Sequence, residues 1–318
     1  MYLSIIVKIY NFVWSEYLTV VKRPQKKNIN STMYFEKNDH SDTVLIMQGP
    51  LSEKGNFTFE TLKIYTLIFP SLKIVLSTWN DEKKSMLYEI EKLGITVIRN
   101  IKPVNSGQQN INYQIASSMS GIEMAKKQNF KYCIKTRTDQ RFLNVESLSY
   151  LKSLLKTFPP LNLNQNSRLI VLSQNTFKYR LFSISDMFMF GYIDDMSKYW
   201  NADFNLFPYD KNIESESNIC LNFLKRIDYQ CEKTLENYWA AIKDNFCVID
   251  QTSIDIYWNK YELIYEYRRK KYDFNYSDEE LYFADWIQIY NGNYYYDSKY
   301  EAIPKLKFGA RIENDLIN

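Results

Sequence analysis

Asp139 stands in the stretch TRTDQR, between Arg137 and Arg141, just after the apolar run Tyr132–Cys133–Ile134. Mg²⁺ and Mn²⁺ take carboxylate and phosphate oxygens, usually through one or two protein carboxylates and several waters. One acid at the end of a buried strand is therefore enough to seat a metal on a nucleotide diphosphate. The flanking arginines would neutralise phosphate. The competing reading is an ion pair in which Asp139 bonds an arginine and merely ends the strand. Residue types alone leave both open.

Other chemistries are scarce. The only histidine, His40, sits in a polar stretch and reads as a loop residue, so His-based triads and HExxH zinc sites have little to rest on. The eight glycines cannot be arranged into a dinucleotide fingerprint or a P-loop. The four cysteines contain no C-x-x-C pair, which reads as reduced, cytosolic usage. Net charge is +3 with 24% charged residues, which argues against a dedicated nucleic-acid binder. The chemistry falls to carboxylates and a hard cation.

The elements that must position Asp139 follow from periodicity. TVLIMQG (43–49), LKIVLS (72–77), ITVIR (95–99) and YCIK (132–135) read as strands. Residues 57–69, 81–93 and 111–127 between them read as helices, the first stopped by Pro70 and the second capped by Gly94. Strands alternating with helices imply a mostly parallel sheet covered on both faces. Ligands of such sheets lie at the carboxyl ends of the strands. That rule gathers Gln48, Gly49, Thr78, Asn80, Asp81 and Asp139 at one edge. Further on, 145–157, 215–227 and 234–244 read as helices, and RLIVL, SDMFMFGY and CVID as strands.

Three stretches in one order carry a resemblance: VLIMQGPLSEKGNFTFETLKIYTLIFPSLKIVLSTWNDE, NINYQIASSMSGIEMAKKQNFKYCIKTRTDQRF and SDMFMFG. Together they resemble the WavE lipopolysaccharide-synthesis family, regarded as bacterial glycosyltransferases of surface polysaccharide assembly. The resemblance covers roughly 43–230. It implies an α/β fold: a GT-A-like, Rossmann-type sheet flanked by helices, with an extra C-terminal helical segment. It also implies a nucleotide-sugar donor, UDP-linked, held with Mn²⁺ or Mg²⁺ at Asp139. TRTDQR departs from the common D-x-D pattern, with Arg137 where the first acid would stand, so a basic side chain could replace part of the metal's charge. Gln48, Gly49, Thr78, Asn80 and Asp81 would contact base and ribose. Asn112 and Gln114 open the helix whose amides could face the nucleotide. An inverting transferase needs a carboxylate general base. Glu216, in IESESNICLNFL, is the favoured base and Asp186, in ISDMFMFG, the alternative or an acceptor-binding acid. For Glu216 the competing reading is a helix cap.

The expected organisation is an amphipathic segment (1–40), a nucleotide-sugar and acceptor domain (41–256) and an aromatic, helical extension (257–318). Ile5, Ile6, Ile9, Phe12, Val13, Tyr17 and Val20 can share one helical face, and Lys22, Arg23, Lys26 and Lys27 follow. That pattern fits an in-plane membrane helix or a helix packed on the body. It fits a cytoplasmic protein, with peripheral contact at the inner face of the plasma membrane in the first case. The partners expected are the nucleotide sugar and a glycan or glycolipid acceptor, with no nucleic acid. Two rival readings are a sugar nucleotidyltransferase, for which MQGPLSEKGNF lacks a Gly-rich loop, and a non-catalytic scaffold.

Overall fold

The computed structural model describes residues 2–14, 22–26, 35–201, 214–260 and 280–294. The chain divides into two compact units, Met1–Thr32 and Met33–Asn318. In the first, helix α1 (Tyr2–Trp14) carries exposed Ile5, Ile6, Ile9, Phe12, Val13 and Trp14. Among the described residues no helix is long and apolar enough to cross a membrane.

The second unit is built on a seven-stranded sheet. Its first four strands are β1 (Thr43–Gln48), β2 (Lys73–Trp79), β3 (Thr96–Asn100) and β4 (Tyr132–Arg137), all parallel. Helices α2 (Phe57–Ile68), α3 (Lys84–Glu91) and α4 (Ile111–Lys127) connect them. Every residue of β1 is buried, as a strand covered on both faces requires, and its middle residues Val44–Met47 are accordingly an unbroken apolar run rather than an alternation. A short strand β5 (Gln140–Phe142) and helix α5 (Ser147–Thr157) follow. The sheet is completed by β6 (Leu169–Leu172), β7 (Met189–Tyr192) and β8 (Phe246–Ile249), giving the order β3-β2-β1-β4-β7-β6-β8. Only β7 runs against its neighbours β4 and β6. The expected mostly parallel, helix-flanked sheet is what the chain builds.

The single reversal decides where the site lies. Because β7 runs backwards, its first residues reach the edge where β1, β2 and β4 end. Asp186, three residues before β7, is thereby carried to the same edge as Asp139.

Three features depart from the periodicity reading. The strand expected from Ser185 forms only from Met189, because 185–188 are held by side chains: the Lys135 ammonium donates to the Asp186 carbonyl, and the Ser185 amide donates to Thr176 Oγ1. Helix α6 (Ile193–Trp200) follows β7 without a loop, its first turn rich in acid that suits the positive helix end. Residues 256–258 form β9 (Ile256–Trp258), which pairs antiparallel with β5 in a separate two-stranded ribbon. Helices α7 (Ser215–Arg226) and α8 (Leu235–Asn245) fall where expected. Most of the expected C-terminal extension lies outside the described residues. Its helix α9 (Phe283–Tyr290) is anchored by Trp286, whose indole is fully buried and donates to the Phe246 carbonyl.

Candidate active site at the strand ends

The ends of β1, β2 and β4 are stitched together by main chain. The Gly49 amide donates to Ser77 O (3.1 Å), and the Thr138 amide donates to Gln48 O (3.1 Å). Gly49 has φ +115°, a conformation that favours glycine, and a Cβ there would press on Thr138 Oγ1 at 3.1 Å. The Thr138 hydroxyl donates to Pro50 O, and the Thr58 hydroxyl donates to Thr138 O (2.9 Å). The TRTD turn is therefore fixed to the loop after β1. That loop and the start of α3 enclose a cleft lined by Leu51, Ser52, Asn56, Thr58, Lys83 and Met86 among others.

Asp139 sits where the sequence puts it, just past β4, and its carboxylate is fully engaged. Arg137 donates from Nε to Oδ1 (2.9 Å) and from a terminal nitrogen to Oδ2 (3.0 Å). Trp258 Nε1, on β9, donates to the same Oδ2 (3.0 Å). Burial would raise the carboxyl, but the Arg137 bonds and charge, Trp258 and nearby Lys260 prevail and hold it below the usual carboxylate range.

The other expected residues divide into two groups. Gln114 donates to the Asp186 carboxylate, and Asp186 raises the proton affinity of Glu216, so Gln114, Asp186 and Glu216 share one neighbourhood. Burial, then the Asp186 charge, pushes the Glu216 carboxyl up to about 7; Glu214 adds to this and Arg180 opposes it. The remaining residues stand outside that group. Gln48 is buried, its Oε1 accepting from Ser117 Oγ (2.7 Å) of α4. The Thr78 hydroxyl is buried without a partner among the described residues, and the Asn80 amide donates to Asn100 O (2.9 Å). Asp81 is exposed and pairs with Lys102 at 2.6 Å, which lowers its carboxyl. Asn112 holds the preceding loop by donating to Asn105 O (3.1 Å). His40 lies at the opposite edge, before β1, beside Glu36.

Lys135 was missed, though a lysine inside the strand YCIKTR is itself a signal. It is fully buried, 4.2 Å from the Trp200 ring centroid. Burial drives its ammonium down to about 7, with Asp186 and Asp139 pulling it up and Arg137 pushing it down. Its ammonium ties the Asp186 segment to β4, two residues before Arg137. Trp258 was also missed, because its contact with Asp139 depends on the β5–β9 pairing.

The sequence model of a family described as WavE lipopolysaccharide synthesis matches residues 43–311. The chain belongs to the WavE family. No curated protein matches it at a significant level. Solved structures similar to this WavE protein include a cytidylyltransferase from Leptospira borgpetersenii serovar Hardjo-bovis, at 13% identity and TM-score 0.33, covering 50% of this chain and 64% of that one. This chain thus spans less than two thirds of that enzyme's length. Another is a glycosyltransferase involved in glycosylation of the major capsid of PBCV-1, at 12% identity and TM-score 0.29, covering 54% and 73%. A third is mouse xyloside xylosyltransferase 1 in its apo form, at 10% identity and TM-score 0.33, covering 70% and 86%.

The divalent cation implied by the family resemblance does not fit these residues as they stand. Both Asp139 oxygens already accept hydrogen bonds, and a cation on them would lie against the Arg137 guanidinium. Among the described residues no three His, Cys, Asp or Glu side chains are grouped to hold a metal.

Proposed function

We propose that this WavE protein is a glycosyltransferase of hexosyltransferase type. It moves a sugar from a UDP-linked donor to a bacterial surface glycan, of lipopolysaccharide-core or capsule type. The observation that carries the reading is the pair Asp186 and Glu216 at the ligand edge of the sheet, with the Glu216 carboxyl pushed to about 7. A base whose affinity for protons matches neutral pH is best suited to take one in the transition state.

The nucleotide occupies the cleft between residues 51–59 and 83–86, beside the strand ends. Asn80 and Asp81 lie at the end of β2, next to that cleft. Glu216 accepts the proton of the acceptor hydroxyl as its oxygen bonds to the anomeric carbon. The bond from that carbon to the diphosphate breaks, and nucleoside diphosphate leaves with the electron pair. Asp186, held by Gln114, orients the acceptor and keeps the Glu216 proton affinity high. The reaction takes place in the cytoplasm, and the exposed apolar face of α1 supports attachment to the inner face of the membrane that carries a glycolipid acceptor.

A panel of nucleotide sugars tests this. The expected result is release of nucleoside diphosphate, faster when acceptor glycan is supplied. Release of pyrophosphate from nucleoside triphosphate and sugar phosphate would replace the reading with nucleotidyl transfer. Failure to bind any nucleotide would leave only the scaffold.

A further inference from the structure

A metal-ligating carboxylate aims a lone pair at the ion and leaves room for its waters. Asp139 is built differently. Three N–H groups converge on its two oxygens, two from Arg137 and one from Trp258. A cation there would meet the Arg137 charge at a separation of a few ångströms, in a setting where only 17% of the Asp139 side chain reaches solvent. The position two residues earlier, which would supply a second acid in a D-x-D pattern, is the arginine itself.

Asp139 holds one edge of the arginine through both its oxygens, and the arginine Cζ lies 5.5 Å from the Trp258 ring centroid. The turn beneath it is fixed at Thr138 N, by Gln48 O, and at Asp139 O, which accepts from the Asn259 amide at 2.9 Å. Lys260 adds positive charge within range of Asp139. A guanidinium fixed in this way matches the geometry of phosphate and loses little freedom on binding it.

We propose that the Arg137–Asp139–Trp258 clasp stands in place of the divalent cation and presents a guanidinium to the diphosphate of the donor, so that nucleotide binds without metal. The proposal rests on the reading of this edge as a nucleotide-sugar site. Asp139 is in this account a positioning residue, acting through Arg137.

The test is calorimetric binding of UDP, GDP, CDP and ADP to the full chain, stripped with EDTA and then resupplied with Mn²⁺ or Mg²⁺. One nucleotide is expected to bind with unchanged affinity in all three conditions. Arg137→Lys keeps the charge and loses the fork, and weakens that binding about tenfold or more. Asp139→Asn and Trp258→Phe, checked for folding by circular dichroism, weaken it in EDTA as well. Binding that appears only with Mn²⁺ or Mg²⁺, and is lost in Asp139→Asn, would overturn the clasp while leaving the transferase reading intact. No binding of any nucleotide in any condition would overturn both.

Discussion

Glu216 and Asp186 are two acids in one small space, and their interaction fixes how the site responds to pH. The Glu216 carboxyl is raised from an ordinary value of 4.5 to about 7, first by burial and then by Asp186. As a base it must be ionised, so kcat/KM should climb as pH rises through about 7 and level off above it. Glu216→Gln should remove that limb and cut turnover by about 10²–10⁴-fold. Stability moves the other way. A folded-state value above the unfolded one means that the folded chain holds the proton more tightly. The stability so gained is complete below 4.5 and is lost as pH rises through about 7. Glutamine is always neutral, so Glu216→Gln should melt above the wild type at pH 8, and the gap should close toward pH 4.5. Melting curves at the two pH values check this; a gap independent of pH would show that Glu216 keeps an ordinary carboxyl. Both acids could be singled out as candidates in the sequence, but their coupling could not be. It depends on β7 running backwards and on the 185–188 segment being held by Lys135 and Thr176. The Arg137–Asp139 pair, by contrast, was one of two open readings, since i and i+2 side chains at a strand end can meet.

At the level of elements, the covering of β1 by α4 depends on a close approach. A Cβ at Gly121 would stand 2.5 Å from Ile46 Cγ2, and both residues are buried. Gly121→Val should therefore destabilise the fold by about 1–3 kcal/mol through overpacking. The same contact predicts a specific rescue: Ile46→Ala and Gly121→Ala together should cost less than the sum of the two singles. Strict additivity in denaturant unfolding would mean that α4 does not press on β1 at this point. The approach also matters for the site, because α4 supplies Gln114 to Asp186 and Ser117 to Gln48. The parallel half of the fold was readable because its helices are periodic and its strands carry apolar runs such as VLIM and IVL. The half after Pro160 was less so. There the chain runs through a long, buried but irregular segment, 173–188, held by side-chain bonds that have no period. The β5–β9 ribbon joins residues 140–142 to 256–258, a distant pairing that strands of three residues do not announce.

At the scale of the whole molecule, the N-terminal unit carries one apolar helix. On α1, Phe12 is 89% exposed, Ile9 59% and Ile6 58%. Its 13 described residues, at 1.5 Å each, cover less than the hydrocarbon core of a bilayer. Lys22, Arg23 and Lys26 follow within the described chain. An apolar face beside a basic cluster suits an anionic lipid surface, into which the face sinks while the cations meet the headgroups. Full-length protein should therefore sediment with vesicles containing phosphatidylglycerol more than with phosphatidylcholine alone, and added salt should weaken this. Ile9→Asp with Phe12→Asp should leave the protein in the supernatant while its hydrolysis of soluble nucleotide sugar continues unchanged. Those substitutions put charge where burial in lipid is required, at a cost lipid cannot offset. If the double variant instead converts a dimer to a monomer and leaves vesicle binding alone, the face belongs to a second copy of the chain and lipid attachment is ruled out.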